Sequence, residues 1–164
     1  MSTKDAPERA GARIEGPAPR ILLIQAPYYA QVVGGMRQGA GRVLAEAGAT
    51  LDVVDVAGGF ELPAALRMAL SAQTRPGGPR WDGFLILGCV VRGETDHYTF
   101  ICDAICHGVM RIGAETGAAI GFGLLTVDTL TQAVARSSDD GSNKGAEAAH
   151  AMLGQVALRR GWGL

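Results

Sequence analysis

The chain has 164 residues, a length typical of one domain that can bury a full hydrophobic core. Its 15 basic and 16 acidic side chains give a formal net charge of -1, so no basic surface predicts a nucleic-acid partner. No apolar run approaches the roughly 20 residues of a membrane span, and the N-terminus lacks the apolar segment of a secretory signal. We therefore expect a cytoplasmic protein that binds neither nucleic acid nor membranes.

The cysteine count agrees with a reducing compartment, because three cysteines on a strand and a helix give no disulfide framework. Cys102 and Cys106 are one helical turn apart and, together with His107, are conceivable metal ligands. However, His107 points away from the stripe of the two cysteines, and buried thiols commonly behave as small hydrophobic groups. We expect no metal site.

The hydrophobic pattern predicts a flexible N-terminal arm and one folded domain. Residues 1–19 are polar, contain three prolines and lack periodicity, whereas residues 20–160 carry regular apolar spacing. In chain order we predict a strand at 20–26, a helix at 31–47, a strand at 50–56, a helix with Pro63 in its first turn that ends near residue 73, a strand at 82–91, a helix at 97–115, a strand at 118–125, and helices at 128–137 and 143–159.

Strands that alternate with helices in this way predict an α/β fold. We expect a single-domain, three-layer αβα sandwich with a central four-stranded parallel sheet, as in flavodoxin-like proteins. Ligands of such sheets bind at the carboxyl ends of the strands. The loops expected at that edge carry aromatic, acidic, glycine and histidine residues, at 27–29, 59–61, 92–97 and 126–128.

The segment from Gly88 to Tyr98 has the clearest functional pattern. A nearly all-apolar strand ends before Gly93, and Thr95 or Asp96 can cap a helix that begins near His97. Backbone N–H groups at such a helix start suit a phosphate or carboxylate, and an imidazole beside them can transfer protons near neutral pH. Strand–loop–helix connections of this kind are also common in α/β proteins without a functional role. The segment alone therefore leaves both the functional and the structural interpretation open.

Other candidate residues also have two interpretations each. Tyr28 stacks on a flat heterocycle or covers a helix end, and Phe60 contacts a ligand or, more often, the core. Glu61 accepts hydrogen bonds from ligand hydroxyls or is a first-turn helix charge. Arg136 and Lys144 neutralise a phosphate or belong to a solvated loop.

Missing motifs narrow the reaction class. The chain has no phosphate-binding GxxxxGK[ST] pattern, no GxGxxG after the first strand, no GxSxG elbow and no paired-histidine metal motif. Nucleotide hydrolysis and hydride transfer therefore lose support. Acid–base chemistry around His97 on an anionic, hydroxyl-rich substrate remains.

Four motifs follow one another along the chain. They are Gly58-Gly59-Phe60-Glu61-Leu62-Pro63, the segment Gly88 to Tyr98, Gly121-Phe122-Gly123-Leu124-Leu125-Thr126, and Asn143-Lys144-Gly145 with Glu147-Ala148-Ala149. In this order they resemble the signatures of the lumazine synthase family, and the resemblance extends from residue 20 to about 158. It implies the lumazine synthase fold. It also implies a transferase of riboflavin biosynthesis that condenses 5-amino-6-(D-ribitylamino)uracil with 3,4-dihydroxy-2-butanone 4-phosphate to 6,7-dimethyl-8-ribityllumazine, the penultimate step of the pathway, without organic cofactor or metal.

The resemblance also implies a role for each candidate residue. His97 would be the acid–base group, while Gly93, Glu94 and Thr95 would hold the phosphate through backbone N–H groups and the Thr95 hydroxyl. Arg136 would pair with that phosphate, and Lys144 would be a further source of positive charge. The remaining implied contacts are Tyr28 on the pyrimidine, Gly59, Phe60 and Glu61 on the ribityl chain, Cys89, Val90 and Val91 at the ring, and Phe122 from a neighbouring subunit.

Three residues depart from the usual family pattern. Pro27 replaces a polar residue, Tyr28 stands where phenylalanine or tryptophan is more usual, and Cys89 replaces a small hydroxyl residue or alanine. A weakly active paralogue that binds lumazine or flavin, or a structural shell protein, therefore remains an alternative.

The family resemblance also predicts the partners. Its members assemble as pentamers with sites between subunits, and some pack pentamers into icosahedral shells. We expect at least a homopentamer, two small-molecule substrates of which one is phosphorylated, and riboflavin synthase as a candidate partner.

Overall fold

A computed structural model describes residues 14–139 and 142–164. Four strands form one parallel sheet in the order β2-β1-β3-β4, which confirms the predicted α/β architecture. The strands are β1 (Arg20–Gln25), β2 (Thr50–Asp55), β3 (Gly83–Val91) and β4 (Ile120–Val127). The helices are a 3-10 turn at Pro27–Tyr29, α1 (Ala30–Glu46), α2 (Glu61–Gln73), α3 (His97–Thr116), α4 (Leu130–Ala135) and α5 (Lys144–Gly161).

Strand β3 is one of the two inner strands of the sheet. It pairs with β1 on one side and with β4 on the other, and its residues from Gly83 to Cys89 are buried. A strand covered on both faces has no solvent-facing side, which explains why its sequence is apolar at every position rather than at alternate positions.

Helices cover both faces of the sheet and divide the core into two layers. Alternate strand residues point to opposite faces. One layer holds Ile21, Leu23, Leu85 and Leu87 beneath α1 and α5, and the other holds Leu22, Ile24, Phe84 and Ile86 beneath α2 and α3.

Helix α5 packs unusually close to the sheet and to α1. A Cβ at Gly121 would lie 2.3 Å from the Ala148 carbonyl oxygen, and one at Gly145 would lie 2.0 Å from the carbonyl oxygen of Met36. Glycine at these positions lets two backbones approach within a distance that no side chain permits.

The parallel strands bring the connecting loops to one edge of the sheet. The Arg92 N–H donates to the Val127 carbonyl at 2.8 Å, so β3 and β4 leave the sheet side by side. The Val56 N–H donates to the Gln25 carbonyl at 2.9 Å, so β1 and β2 also leave the sheet side by side. The four loops expected at the carboxyl edge therefore all begin at the same edge of the sheet.

Two predicted elements differ from the structure by two residues at both ends. Strand β4 was expected at 118–125, but it continues to Val127 because Thr126 and Val127 pair with Val90 and Val91. The short helix was expected at 128–137 and spans Leu130–Ala135, because Thr129 is its N-cap and accepts a hydrogen bond from the Gln132 N–H.

The C-terminal helix holds the chain segment that precedes β1. The Arg160 guanidinium donates to the carbonyl oxygens of Glu15 at 2.7 Å and Pro17 at 2.8 Å, and to the Asp82 carboxylate at 2.9 Å. Residues 1–13 of the predicted arm lie outside the described residues. None of the helices between residues 14 and 164 that the structure describes is long and apolar enough to cross a membrane.

The close approach of α5 predicts opposite effects for two glycine-to-alanine substitutions. Gly121→Ala should destabilise the protein by about 1 to 3 kcal/mol, because its methyl group meets the backbone of Ala148. Gly154→Ala, on the exposed side of the same helix with no atom within 4 Å, should stabilise by up to about 1 kcal/mol through helix propensity. Thermal unfolding followed by circular dichroism measures both, and equal midpoints for the two variants would contradict this packing.

Candidate active site

A cavity of about 440 Å³ lies at the carboxyl ends of β1 and β3, where α2 and α3 begin. Most of the residues that the sequence singled out line it. They are Tyr28, Gly59, Phe60, Glu61, Cys89, Val90, Val91 and His97. We call this space the first cavity.

The loop between β2 and α2 reaches the first cavity because Gly59 packs directly on α3. A Cβ at Gly59 would lie 2.6 Å from Cδ1 of Ile105, so a larger residue would push the loop away. Gly59 is followed by Phe60, whose ring lies 5.8 Å from the His97 imidazole in an edge-to-face arrangement with an interplanar angle of 68°. Glu61 then starts α2.

Two aromatic rings at the mouth of the first cavity are largely uncovered. Tyr28 is 79 % exposed and Phe60 is 50 % exposed. Tyr28 contacts the Tyr29 ring edge to face at 5.3 Å. In a single chain, a flat ligand on either ring would remain open to solvent on one side.

The end of β3 forms the wall of the first cavity. Val90 and Val91 are half-buried and Cys89 is buried. Burial raises the pKa of the Cys89 thiol from 9.0 to about 11, because the thiolate loses its hydration. Cys89 is therefore a neutral wall residue rather than a nucleophile at physiological pH.

His97 stands at the rim, at the first residue of α3. Its N–H lies 3.4 Å from the Thr95 hydroxyl, while Asp96 is the N-cap residue and makes no side-chain capping bond. Glu94 and Thr95 are exposed in the loop that leads to His97 and do not line the first cavity.

Arg92 anchors this loop at its other end. Its guanidinium carbon lies 4.0 Å above the Tyr98 ring, and its Nε donates to the Asp128 carboxylate at 2.8 Å. The hydrogen bond to Asp128 raises the pKa of Arg92 above its already high value. The loop between β3 and α3 is thus fixed to the loop that follows β4.

Three of the sequence candidates lie elsewhere, in a second cavity of about 380 Å³ between β4 and α5. Phe122, Arg136 and Lys144 line it, together with Glu147. We call this space the second cavity. Because β4 is an edge strand, the second cavity lies at a free edge of the sheet.

The two basic residues of the second cavity are held by backbone and charge contacts. The Lys144 N–H donates to the Arg136 carbonyl at 2.9 Å, and Arg136 Nη1 donates to the Gln132 carbonyl at 2.9 Å. Lys144 Nζ forms a half-buried ion pair with Glu147 Oε1 at 2.6 Å. An anion in the second cavity would therefore meet two cationic side chains, with one carboxylate beside them.

Some residues of the two cavities were missed by the sequence analysis as site residues. Tyr29, Ile101 and Leu124 line the first cavity, and Leu124 also borders the second. The sequence did contain a signal for Glu147, because it follows Lys144 by three residues on a helix and can pair with it. Among residues 14–139 and 142–164, no group of three or more His, Cys, Asp or Glu side chains could hold a metal ion.

The raised pKa of Cys89 predicts slow alkylation. In a Cys102→Ser/Cys106→Ser variant, Cys89 is the single thiol, and at pH 8 its thiolate fraction should be about 100-fold lower than in the unfolded chain. Its labelling rate with iodoacetamide, measured by mass spectrometry, should still rise about tenfold per pH unit between pH 8 and 9.5. A rate that levels off near pH 9, as in the urea-unfolded chain, would contradict this environment.

Comparison with known proteins gives one family. Residues 18–160 match the family model of 6,7-dimethyl-8-ribityllumazine synthase. The chain is 38 % identical over 146 residues to the protein of that name from Paramagnetospirillum magneticum, covering 88 % of this chain and 97 % of the relative. It is 38 % identical over 162 residues to the one from Leifsonia xyli, covering 97 % and 98 %, and 39 % identical over 141 residues to the one from Nitrobacter winogradskyi, covering 86 % of each.

These matches cover almost the whole folded domain and include all four sequence motifs. They confirm the family resemblance that the motifs predicted. The chain belongs to the 6,7-dimethyl-8-ribityllumazine synthase family, which comprises transferases of riboflavin biosynthesis.

Proposed function

We propose that the protein condenses 5-amino-6-(D-ribitylamino)uracil with 3,4-dihydroxy-2-butanone 4-phosphate to form 6,7-dimethyl-8-ribityllumazine, with loss of phosphate and water. The observation that carries the proposal is the first cavity, where Tyr28, Phe60, Glu61 and His97 meet in a member of this family. The name of the relatives gives the product, and the two substrates are those that the family resemblance of the sequence motifs implies.

The first cavity suits the pyrimidine substrate. The exposed Tyr28 ring offers a stacking surface for a flat heterocycle, and the apolar wall of Val90 and Val91 suits its edge. The loop of Gly59, Phe60 and Glu61 provides a carboxylate and backbone groups that can bind the hydroxyls of the ribityl chain.

His97 is the proposed acid–base group, and its position at the rim of the first cavity supports this role. The amine nitrogen attacks the ketone carbon, and water leaves as the imine forms. The C–O bond to phosphate then breaks as a proton leaves the neighbouring carbon, and attack by the second nitrogen closes the ring with loss of another water. Each step transfers a proton between carbon, nitrogen or oxygen, and an imidazole at the rim can accept or donate it.

The phosphate site fits a second subunit better than the same chain. Phe122, Arg136 and Lys144 line the second cavity at the free edge of β4, whereas the rings of Tyr28 and Phe60 are open to solvent at the first. We propose that the protein is a homopentamer in which the second cavity of one subunit closes over the first cavity of its neighbour. The backbone N–H groups of Gly93, Glu94 and Thr95 and the Thr95 hydroxyl, in the exposed loop before His97, would then face the phosphate together with Arg136, while the Glu94 carboxylate faces away.

The proposal is tested by mixing the purified protein with both substrates and recording the fluorescence of the lumazine product. We expect turnover. Arg136→Ala should raise KM for the phosphorylated ketone by about tenfold or more, because a charge-assisted phosphate contact is lost, with a smaller change in KM for the pyrimidine. His97→Ala should lower kcat by about 100-fold without abolishing it, since positioning of two substrates supplies much of the rate.

The controls separate catalysis from binding. Arg111→Ala, on the exposed face of α3 in an exposed pair with Glu115, leaves both cavities intact and should retain normal kinetics. Tight binding of the lumazine product without turnover would contradict the proposed reaction and support a lumazine-binding paralogue. An unchanged KM in Arg136→Ala would remove Arg136 from the phosphate site.

A further inference from the structure

We infer that Asn143 is the positioning residue that sets the geometry of Arg136 and Lys144, and thereby the affinity of the site for the phosphorylated substrate. The inference rests on the proposed function. Asn143 precedes α5 and is only 3 % exposed. It does not line either cavity, so it acts through its neighbours.

One amide group joins three segments of the chain. Oδ1 of Asn143 accepts hydrogen bonds from the N–H groups of Gly145 at 2.9 Å and Ala146 at 3.1 Å, which caps α5. Nδ2 faces the carbonyl oxygens of Ser137 at 2.9 Å, Ser138 at 3.2 Å and Gly35 at 3.0 Å. The start of α5, the loop after α4 and helix α1 are thus joined at a single side chain.

Helix α1 provides a seat for this side chain, because Gly39 has no Cβ where the amide lies. A Cβ at Gly39 would lie 2.4 Å from Cγ of Asn143, and a Cβ at Gly35 would lie 2.5 Å from the Ser137 carbonyl oxygen. Met36 and Ala40, which flank these glycines, are fully buried in the core. The seat is therefore part of a rigid helix, and the amide has little freedom to shift.

The residues that Asn143 holds are the chain neighbours of both cations. Lys144 follows Asn143 directly, and Ser137 follows Arg136 directly. The hydrogen bond from the Lys144 N–H to the Arg136 carbonyl, at 2.9 Å, closes the loop between them. A displacement of Asn143 therefore moves the backbone of both basic residues, which need fixed positions to bind a phosphate together.

The site requires an amide rather than an acid or a hydroxyl. Asparagine is a donor and an acceptor on one planar group. An aspartate would keep the cap of α5 but would place carboxylate oxygen against three carbonyl oxygens. Asn143→Asp hardly changes the shape of the side chain, and it therefore separates the capping of α5 from the anchoring of the loop after α4.

Steady-state kinetics with both substrates tests the inference, using Asn143→Asp, Gly39→Ala and a matched control. The control is Gln155→Ala, because Gln155 likewise anchors α5 through its side-chain amide, but to β4. Its Oε1 accepts from the Ile120 N–H at 3.1 Å, and its Nε2 donates to the Ile120 carbonyl at 2.8 Å. Gln155 lies outside both cavities. We expect Asn143→Asp and Gly39→Ala to raise KM for the phosphorylated ketone by about tenfold, with less than about a twofold change in KM for the pyrimidine.

Gly39→Ala keeps the test decisive if Asn143→Asp does not fold, because it displaces the same amide from the opposite side. In the double variant Gly39→Ala/Asn143→Ser, the shorter side chain makes room for the methyl group. The KM effect of Gly39→Ala should therefore be smaller in the Asn143→Ser background than in the wild type.

Besides unchanged KM values in the variants, three outcomes would overturn the inference. Both KM values could change equally, the Gly39 and Asn143 effects could be additive, or Gln155→Ala could reproduce the selective effect at a similar thermal midpoint. The first two would show that Asn143 stabilises the fold without positioning the cations. A wild-type protein that forms no lumazine would contradict the proposed function itself, whereas an active wild type with unchanged KM values in the variants would contradict the inference alone.

Discussion

The burial of β3 on both faces is the constraint on which the rest of the structure depends. An all-apolar strand must be covered by helices on two sides, and parallel neighbours require crossover connections that provide those helices. The crossovers bring every loop that follows a strand to the same edge. Tyr28, Phe60 and His97 are far apart in the sequence and meet there for this reason.

The strand order determines how the site is divided. Since β3 is an inner strand and β4 is at the edge, the loop that follows β3 meets those after β1 and β2 inside the chain. The groove between β4 and α5 is instead open at the border of the sheet. The close contact of Gly121 with Ala148 brings α5, and with it Lys144, to that border. One chain therefore presents two separate cavities, as the proposed site between subunits requires.

The elements and the residues of the first cavity could be predicted from the sequence because both depend on local patterns. Apolar runs and glycine loops predicted β3 and the start of α3 at His97. The end of β4 could not be predicted, since Thr126 and Val127 are held by pairing with another strand. The partition of the candidates between two cavities depends on strand order, which no local pattern contains.

The contacts around Asn143 had a still weaker signal in the sequence. Its hydrogen bond to the Gly35 carbonyl spans 108 residues, and its seat at Gly39 is recognisable only once α1 and α5 lie side by side. The ion pair of Lys144 with Glu147, in contrast, could be predicted from helical spacing alone. Local chemistry thus indicated the candidate residues, and tertiary packing determines where they lie.

Subunit complementation tests the central claim, that each site combines the first cavity of one chain with the second cavity of another. One variant, Glu61→Ala/His97→Ala, disables the first cavity, and the other, Arg136→Ala/Lys144→Ala, disables the second. When the two are co-expressed and purified as mixed oligomers, random mixing should leave about a quarter of the sites intact and restore that share of wild-type activity. Activity no higher than that of the separate variants, in oligomers shown to contain both chains, would contradict the claim.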